Sequence, residues 1–220
     1  YFLKNIVDNY IQNVIINSLA ITKKDIEYLE KHNVNVITID RTNLDNQPNS
    51  ISVDHFEGSF LATKHLVNNC GCEHILFISG EMNEQSSINR FRGYQKAIQK
   101  FTKTHTINLL EGDFTYKSGY ELALKKLKTE NNIQGIVCAN DAMAIGVINA
   151  CYELGISIPN SIQIIGYDNC VLSQYSTPSL TTVNQLDPKI GQMIMESIKE
   201  NKAIQFEYIP ELIIRKTTKI

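Results

Sequence analysis

Gln134-Gly135-Ile136-Val137-Cys138 runs directly into Ala139-Asn140-Asp141-Ala142-Met143-Ala144-Ile145-Gly146 and on to Leu154-Gly155. The first five residues read as a short apolar strand of the kind buried on both faces. Asn140 and Asp141 are residue types that cap helices, and the periodic run behind them ends at Gly155. A strand, a short polar turn and a long helix form half of a β-α-β unit. The same alternation continues on both sides. Helices are expected from Thr22 to His32, Asp54 to Leu66, Asn89 to Phe101, Lys117 to Leu127, and onward from Asp187-Pro188. Strands are expected at Val34–Ile39, His74–Ser79, Thr106–Leu110, Ser161–Gly166, Gln205–Tyr208 and Glu211–Arg215. Strand–helix alternation over most of a chain means α/β architecture, with parallel sheets and right-handed crossovers.

Composition narrows the class. The chain has 220 residues, 43% hydrophobic and 20% charged, with a net charge of −2. These values suit a globular protein of one large domain or two lobes and exclude a disordered or fibrous one. The near-neutral balance argues against a dedicated nucleic-acid surface within these residues. No apolar run approaches the roughly 18 residues of a membrane span, and Tyr1–Asp8 has no signal-peptide pattern. Five cysteines form an odd set without a disulfide framework, which fits a reducing cytoplasm. Cys70-Gly71-Cys72-Glu73-His74 lacks a second ligand pair, so a turn is expected there and no metal. The polar stretch Arg41–Ser50 reads as an exposed crossover.

In open parallel sheets, ligands bind beyond the carboxyl ends of the strands. Those ends offer Asp40-Arg41, Gly80 followed by Ser86, Ser87 and Arg90, Gly112-Asp113-Phe114, Ala139-Asn140-Asp141, and Tyr167-Asp168-Asn169. Acids, amides, an arginine and aromatic rings on one rim suit a polyhydroxylated ligand, which needs bidentate partners and a stacking face. Each residue also has an ordinary reading. Asn140 and Asp141 are cap types, Asp168 a turn type, Phe114 a core type and Arg90 a solvated helix type. Catalytic patterns are weak: there is no glycine-rich phosphate loop and no nucleophile elbow. None of the five histidines is expected on the rim. Cys138 lies inside an apolar strand, where thiols are usually inert.

Five segments, in order, resemble the LacI/GalR family of transcriptional regulators. They are Ser87-Ile88-Asn89-Arg90-Phe91-Arg92-Gly93-Tyr94; Ala139–Gly146; Leu154–Pro159 followed by Ile165-Gly166-Tyr167-Asp168-Asn169; Pro178-Ser179-Leu180-Thr181-Thr182-Val183-Asn184-Gln185; and Pro210–Thr218. The resemblance implies two Rossmann-like parallel-sheet lobes of the periplasmic binding protein-like (type I) architecture, with residues 1–53 and 186–203 in the first lobe and 54–185 and 204–220 in the second. It implies an effector, of sugar type, held in an interlobe cleft. By the same resemblance Arg90, Asn140, Asp168, Phe114, Gln185, Asp40 and Ser86 are ligand contacts, and Ile145 and Tyr175 lie at a homodimer seam. Neither a cofactor nor a metal is implied. Operator DNA would be met by a helix-turn-helix headpiece, which this sequence lacks together with the first β-α-β stretch of the family's N-terminal lobe. Arg90→Ala is then expected to abolish the effector response with the fold intact. The rival reading is an exported solute-binding protein of a sugar transporter, which shares the fold. An enzyme is disfavoured by the lack of a nucleophile–base pair on the rim.

Overall fold

Thr22 starts the first well-formed helix by a reciprocal cap. Its hydroxyl accepts the Asp25 N–H, and the Asp25 carboxylate accepts the Thr22 N–H at 2.8 Å. The computed structural model describes residues 2–18, 20–40 and 49–219. In chain order its elements are α1 (Phe2–Asp8), β1 (Asn13–Ile16), α2 (Lys23–Lys31), β2 (Asn35–Ile39), β3 (Ser50–Val53), α3 (His55–Asn68), β4 (Ile75–Ser79) and α4 (Gln85–Phe101). There follow β5 (Asn108–Glu111), α5 (Tyr116–Thr129), β6 (Gly135–Cys138), α6 (Asp141–Glu153), β7 (Gln163–Asp168), α7 (Val171–Tyr175), β8 (Thr181–Asn184), α8 (Lys189–Glu200), β9 (Gln205–Tyr208) and β10 (Glu211–Ile213). The polar crossover expected at Arg41–Ser50 lies, for residues 41–48, outside the described residues.

The chain divides into two units, Tyr1–Val53 with Asp187–Tyr208 and Asp54–Leu186 with Ile209–Ile220. In the first, the sheet runs β1-β2-β3-β9, all parallel. One expectation needs correcting. Residues 204–208 were expected in the second lobe, but Gln205–Tyr208 pairs along the whole of Ser50–Val53, so the boundary falls after Tyr208.

The second unit holds a sheet of order β10-β8-β7-β6-β4-β5, parallel except where β10 runs against β8. Every residue of β4 and β6 is buried, as a parallel strand covered by helices on both faces requires. From β4 the chain steps outward to β5, then crosses back to β6 and β7. The order reverses between β4 and β6, and that reversal opens a crevice at the carboxyl ends of the strands. All five parallel strands point those ends the same way, so four of the strand ends predicted as a rim, those after β4, β5, β6 and β7, share one physical edge; the fifth, at Asp40, belongs to the sheet of the first unit.

His65, near the end of α3, is 6% exposed, and its Nε2 finds no hydrogen-bond partner among the described residues. Burial pushes its pKa down. The folded chain therefore resists a proton that the unfolded chain accepts, and stability is complete above the ordinary value of 6.5 and declines as pH falls below it. The unfolding free energy of the wild type, relative to His65→Leu, is expected to fall as pH drops below 6.5 in urea titrations. A flat difference curve would contradict this.

Candidate functional site

The Asp54 carboxylate accepts the Glu57 N–H at 2.9 Å, so α3 begins directly after β3 and His55 is its first residue. α4 follows β4 and carries Arg90 on its second turn. These two helix starts bring His55 and Arg90 together at the reversal point of the sheet. Arg90 is 5% exposed. Its Nη1 donates to the carbonyl of Ala139, just past β6, at 2.6 Å. Its Nη2 donates to Gln185 Oε1 at 3.2 Å, and Nε and Nη2 both face His55 Nδ1, at 3.4 and 3.2 Å. The guanidinium lies 4.0 Å from the centroid of the Tyr167 ring. A guanidinium is donor-only, so His55 Nδ1 must accept, and the His55 ring carries its proton on Nε2. The Tyr167 hydroxyl sits 3.2 Å from the same nitrogen.

Gln185 passes the contact on. Its Nε2 donates to Asp168 Oδ1 at 2.7 Å, so Arg90, Gln185 and Asp168 form a continuous chain across the ends of β6, β7 and β8. Asp168 and Asn169 both take positive φ, 113° and 55°. Asn140 performs two tasks. Its Oδ1 accepts the Met143 N–H at 2.9 Å and caps α6, while its Nδ2 donates to the carbonyl of Phe114 at 2.8 Å. Phe114 has φ 64°, and its ring fills the space that a Cβ on Gly80 would need, so only glycine after β4 lets the ring lie over that strand end. The loop is fixed from its other side by Asp113, whose carboxyl is held down to about 2 by hydrogen bonding to Ser118 and Thr115.

Arg90, Asn140, Asp168, Phe114 and Gln185 are thus brought to one edge of the second unit. Ser86 is half-buried in the first turn of α4, on the same side. Asp40 belongs to the first unit, where its N–H, at the end of β2 with φ 54°, donates to Ile51 O at 2.7 Å. Arg41 lies outside the described residues. Sequence reasoning missed His55, and it placed Tyr167 on the rim without assigning it a contact. The placement of all histidines away from the rim is corrected for His55, because the cap at Asp54 starts α3 one residue beyond β3. The signal that could have found it was that Asp54 cap, read together with the strand end it follows.

Cys138 is fully buried and its thiol is pushed well above its ordinary value by burial, so it offers no nucleophile. Cys70 donates to Lys219 O, and Cys72 receives Gln163 Nε2 at 3.3 Å. No group of three or more His, Cys, Asp or Glu able to hold a metal is found among the described residues. Among the same residues no helix is long and apolar enough to cross a membrane.

Residues 63–218 match the family model for the periplasmic binding protein-like domain. The chain belongs to this family, in the form found in LacI-type transcriptional regulators. It is 36% identical to the HTH-type transcriptional repressor PurR of Histophilus somni, over 77% of this chain and 53% of that protein. It is 31% identical to the repressor of the same name from Actinobacillus pleuropneumoniae serotype 3, over 99% of this chain and 67% of that protein. Among solved structures it resembles a LacI family transcriptional regulator from Enterococcus faecium with bound ribose, at 25% identity and a TM-score of 0.84, over 99% of this chain and 83% of that one. The chain spans between about half and two thirds of the length of these curated relatives.

Arg90 is buried, so its truncation is expected to cost stability as well as effector response. Truncation leaves Ala139 O and Gln185 Oε1 without their donor and empties the space over Tyr167. Arg90→Met is expected to lower the unfolding free energy by at least about 2 kcal/mol, since bonds to a charged donor are among the stronger ones and buried acceptors are left unmet. Urea denaturation followed by tyrosine fluorescence measures it, and an unshifted midpoint would contradict the assignment.

Proposed function

We propose that this chain is the effector-sensing domain of a bacterial transcriptional regulator, and that its small-molecule effector is held over the carboxyl edge of the six-stranded sheet. One observation carries the reading: a buried arginine, an amide and a carboxylate joined in series, Arg90–Gln185–Asp168, at the reversal point of a parallel sheet. A ligand bearing hydroxyls or ring nitrogens can exchange into such a chain, taking donors from Arg90 and acceptors from Asp168, with the Phe114 ring as a stacking face. Asn140, Ser86 and Asp40 complete the set of proposed contacts. The regulators among the similar proteins favour this reading over an exported solute-binding protein, and they favour a regulator over an enzyme.

The rest of the proposal follows from the same relatives. The effector is a sugar or a related polar ring compound. The protein works in the cytoplasm as a homodimer and meets operator DNA through a helix-turn-helix headpiece outside the present sequence. The effector acts by binding one conformation of the domain more tightly than another, which shifts their populations. Ile145, half-buried on α6, and Tyr175, 75% exposed at the end of α7, are proposed seam residues.

A thermal-shift screen of the full-length protein with D-ribose, adenine and ribose 5-phosphate tests the effector. A compound that raises Tm in the wild type is expected to lose at least about tenfold in affinity in Asp168→Asn, since a lost acceptor for a bound donor costs on the order of 1–3 kcal/mol. Unchanged affinity would remove Asp168 from the site. The dimer is tested separately by light scattering: Tyr175→Asp is expected to give a monomer at micromolar concentration, and a persistent dimer would move the seam elsewhere.

A further inference from the structure

Asp141, one residue past Asn140, is completely buried, and so is Thr182 on β8. Both oxygens of the Asp141 carboxylate are engaged. Thr182 Oγ1 donates to Oδ1 at 2.5 Å, and the Cys170 N–H donates to Oδ2 at 2.8 Å. The Thr182 hydroxyl in turn accepts the Asn169 N–H at 3.3 Å. One carboxylate therefore holds two successive backbone amides, the second through a hydroxyl relay. From the other side Arg215 donates to Asn169 Oδ1 at 2.6 Å while it is itself fixed on Leu180 O at 2.7 Å and Ser173 Oγ at 3.1 Å.

What these contacts hold is the pair Asp168–Asn169, whose positive φ values of 113° and 55° L-residues rarely adopt. A conformation such as that of Asp168 is strained and persists only where the surroundings over-determine it. Gly166 supplies the room. A Cβ there would overlap Asp141 Oδ1, so the carboxylate can lie against β7 only because position 166 has no side chain. The burial of Asp141 raises its carboxyl pKa, while Thr182 and Cys170 pull it back.

We propose that Asp141 and the Thr182 hydroxyl are positioning residues for effector recognition: they fix the Asp168–Asn169 reversal and so aim the Asp168 carboxylate at Gln185 and, through it, at Arg90. Neither residue has surface a ligand could touch, so neither acts as a contact itself. The inference rests on the reading of Asp168 as an effector contact, and its test separates the two.

The test uses full-length wild type, Thr182→Val, Thr182→Ser and Asp141→Asn. Without ligand, amide hydrogen exchange is measured at Asn169 and Cys170 against core amides of β6. Thr182→Val keeps the shape and the strand preference of the side chain and removes only the relay, so exchange at the two amides is expected to rise while β6 stays protected. Thr182→Ser is expected to restore protection. With whichever of D-ribose, adenine or ribose 5-phosphate binds the wild type, Thr182→Val is expected to weaken affinity by roughly tenfold and Thr182→Ser to recover it. Unchanged exchange in Thr182→Val overturns the proposal, as does raised exchange with unchanged affinity. If Asp141→Asn fails to fold, the Thr182 pair still decides. If none of the three compounds binds the wild type, the effector reading fails for them, and the exchange measurement alone judges the positioning role.

Discussion

Everything at the carboxyl edge of the six-stranded sheet follows from the need to satisfy a guanidinium that is nearly out of water. A buried cation is tolerated only where acceptors surround it. Arg90 finds the Ala139 carbonyl, Gln185 Oε1 and His55 Nδ1, and lies over the Tyr167 ring. These four partners come from four elements: the end of β6, the segment after β8, the start of α3 and the interior of β7. Meeting the charge therefore fixes the relative positions of those elements. The reversal of strand order between β4 and β6 makes room for it, since Arg90 enters from the helix after β4 and binds the residue after β6.

The same edge has a rigid support beneath it. Asn140 and Asp141 are adjacent, yet they serve different layers. Asn140 caps α6 and ties down the Phe114 loop. Asp141 turns inward to β8 and to the amide of Cys170. A row of half-buried polar side chains over a fully buried set that fixes their backbones is what preorganised recognition of a small polar ligand requires.

How much of this was legible varies with the physical signal. The α/β alternation, the second-unit sheet and most of the rim were readable because β4, β6 and β7 are apolar runs and several helices, α2, α3 and α6, carry side-chain caps at Thr22, Asp54 and Asn140. Short elements were not. β1, β3 and β8 have four residues each and contain Asn13, Ser50, Ser52 and Asn184, and α7 has five residues; none is long enough to show a period. The Gln205–Tyr208 strand was legible as a strand, but its sheet was not, because partner choice depends on chain crossings that no local pattern encodes. Within the site, Arg90, Asn140, Asp168, Phe114 and Gln185 were named from position and resemblance. His55 escaped because its role depends on a contact 35 residues away in sequence. Asp141 was read as a cap, and its burial against Thr182 is visible only in three dimensions.

The most direct test of the central claim is a crystal structure of the full-length protein grown with a compound that raises its Tm. The account predicts density for that compound at the carboxyl edge of the six-stranded sheet, within hydrogen-bond distance of Arg90 and Asp168. The same compound bound elsewhere, with the Arg90–Gln185–Asp168 chain unchanged and no ligand against it, would contradict the account.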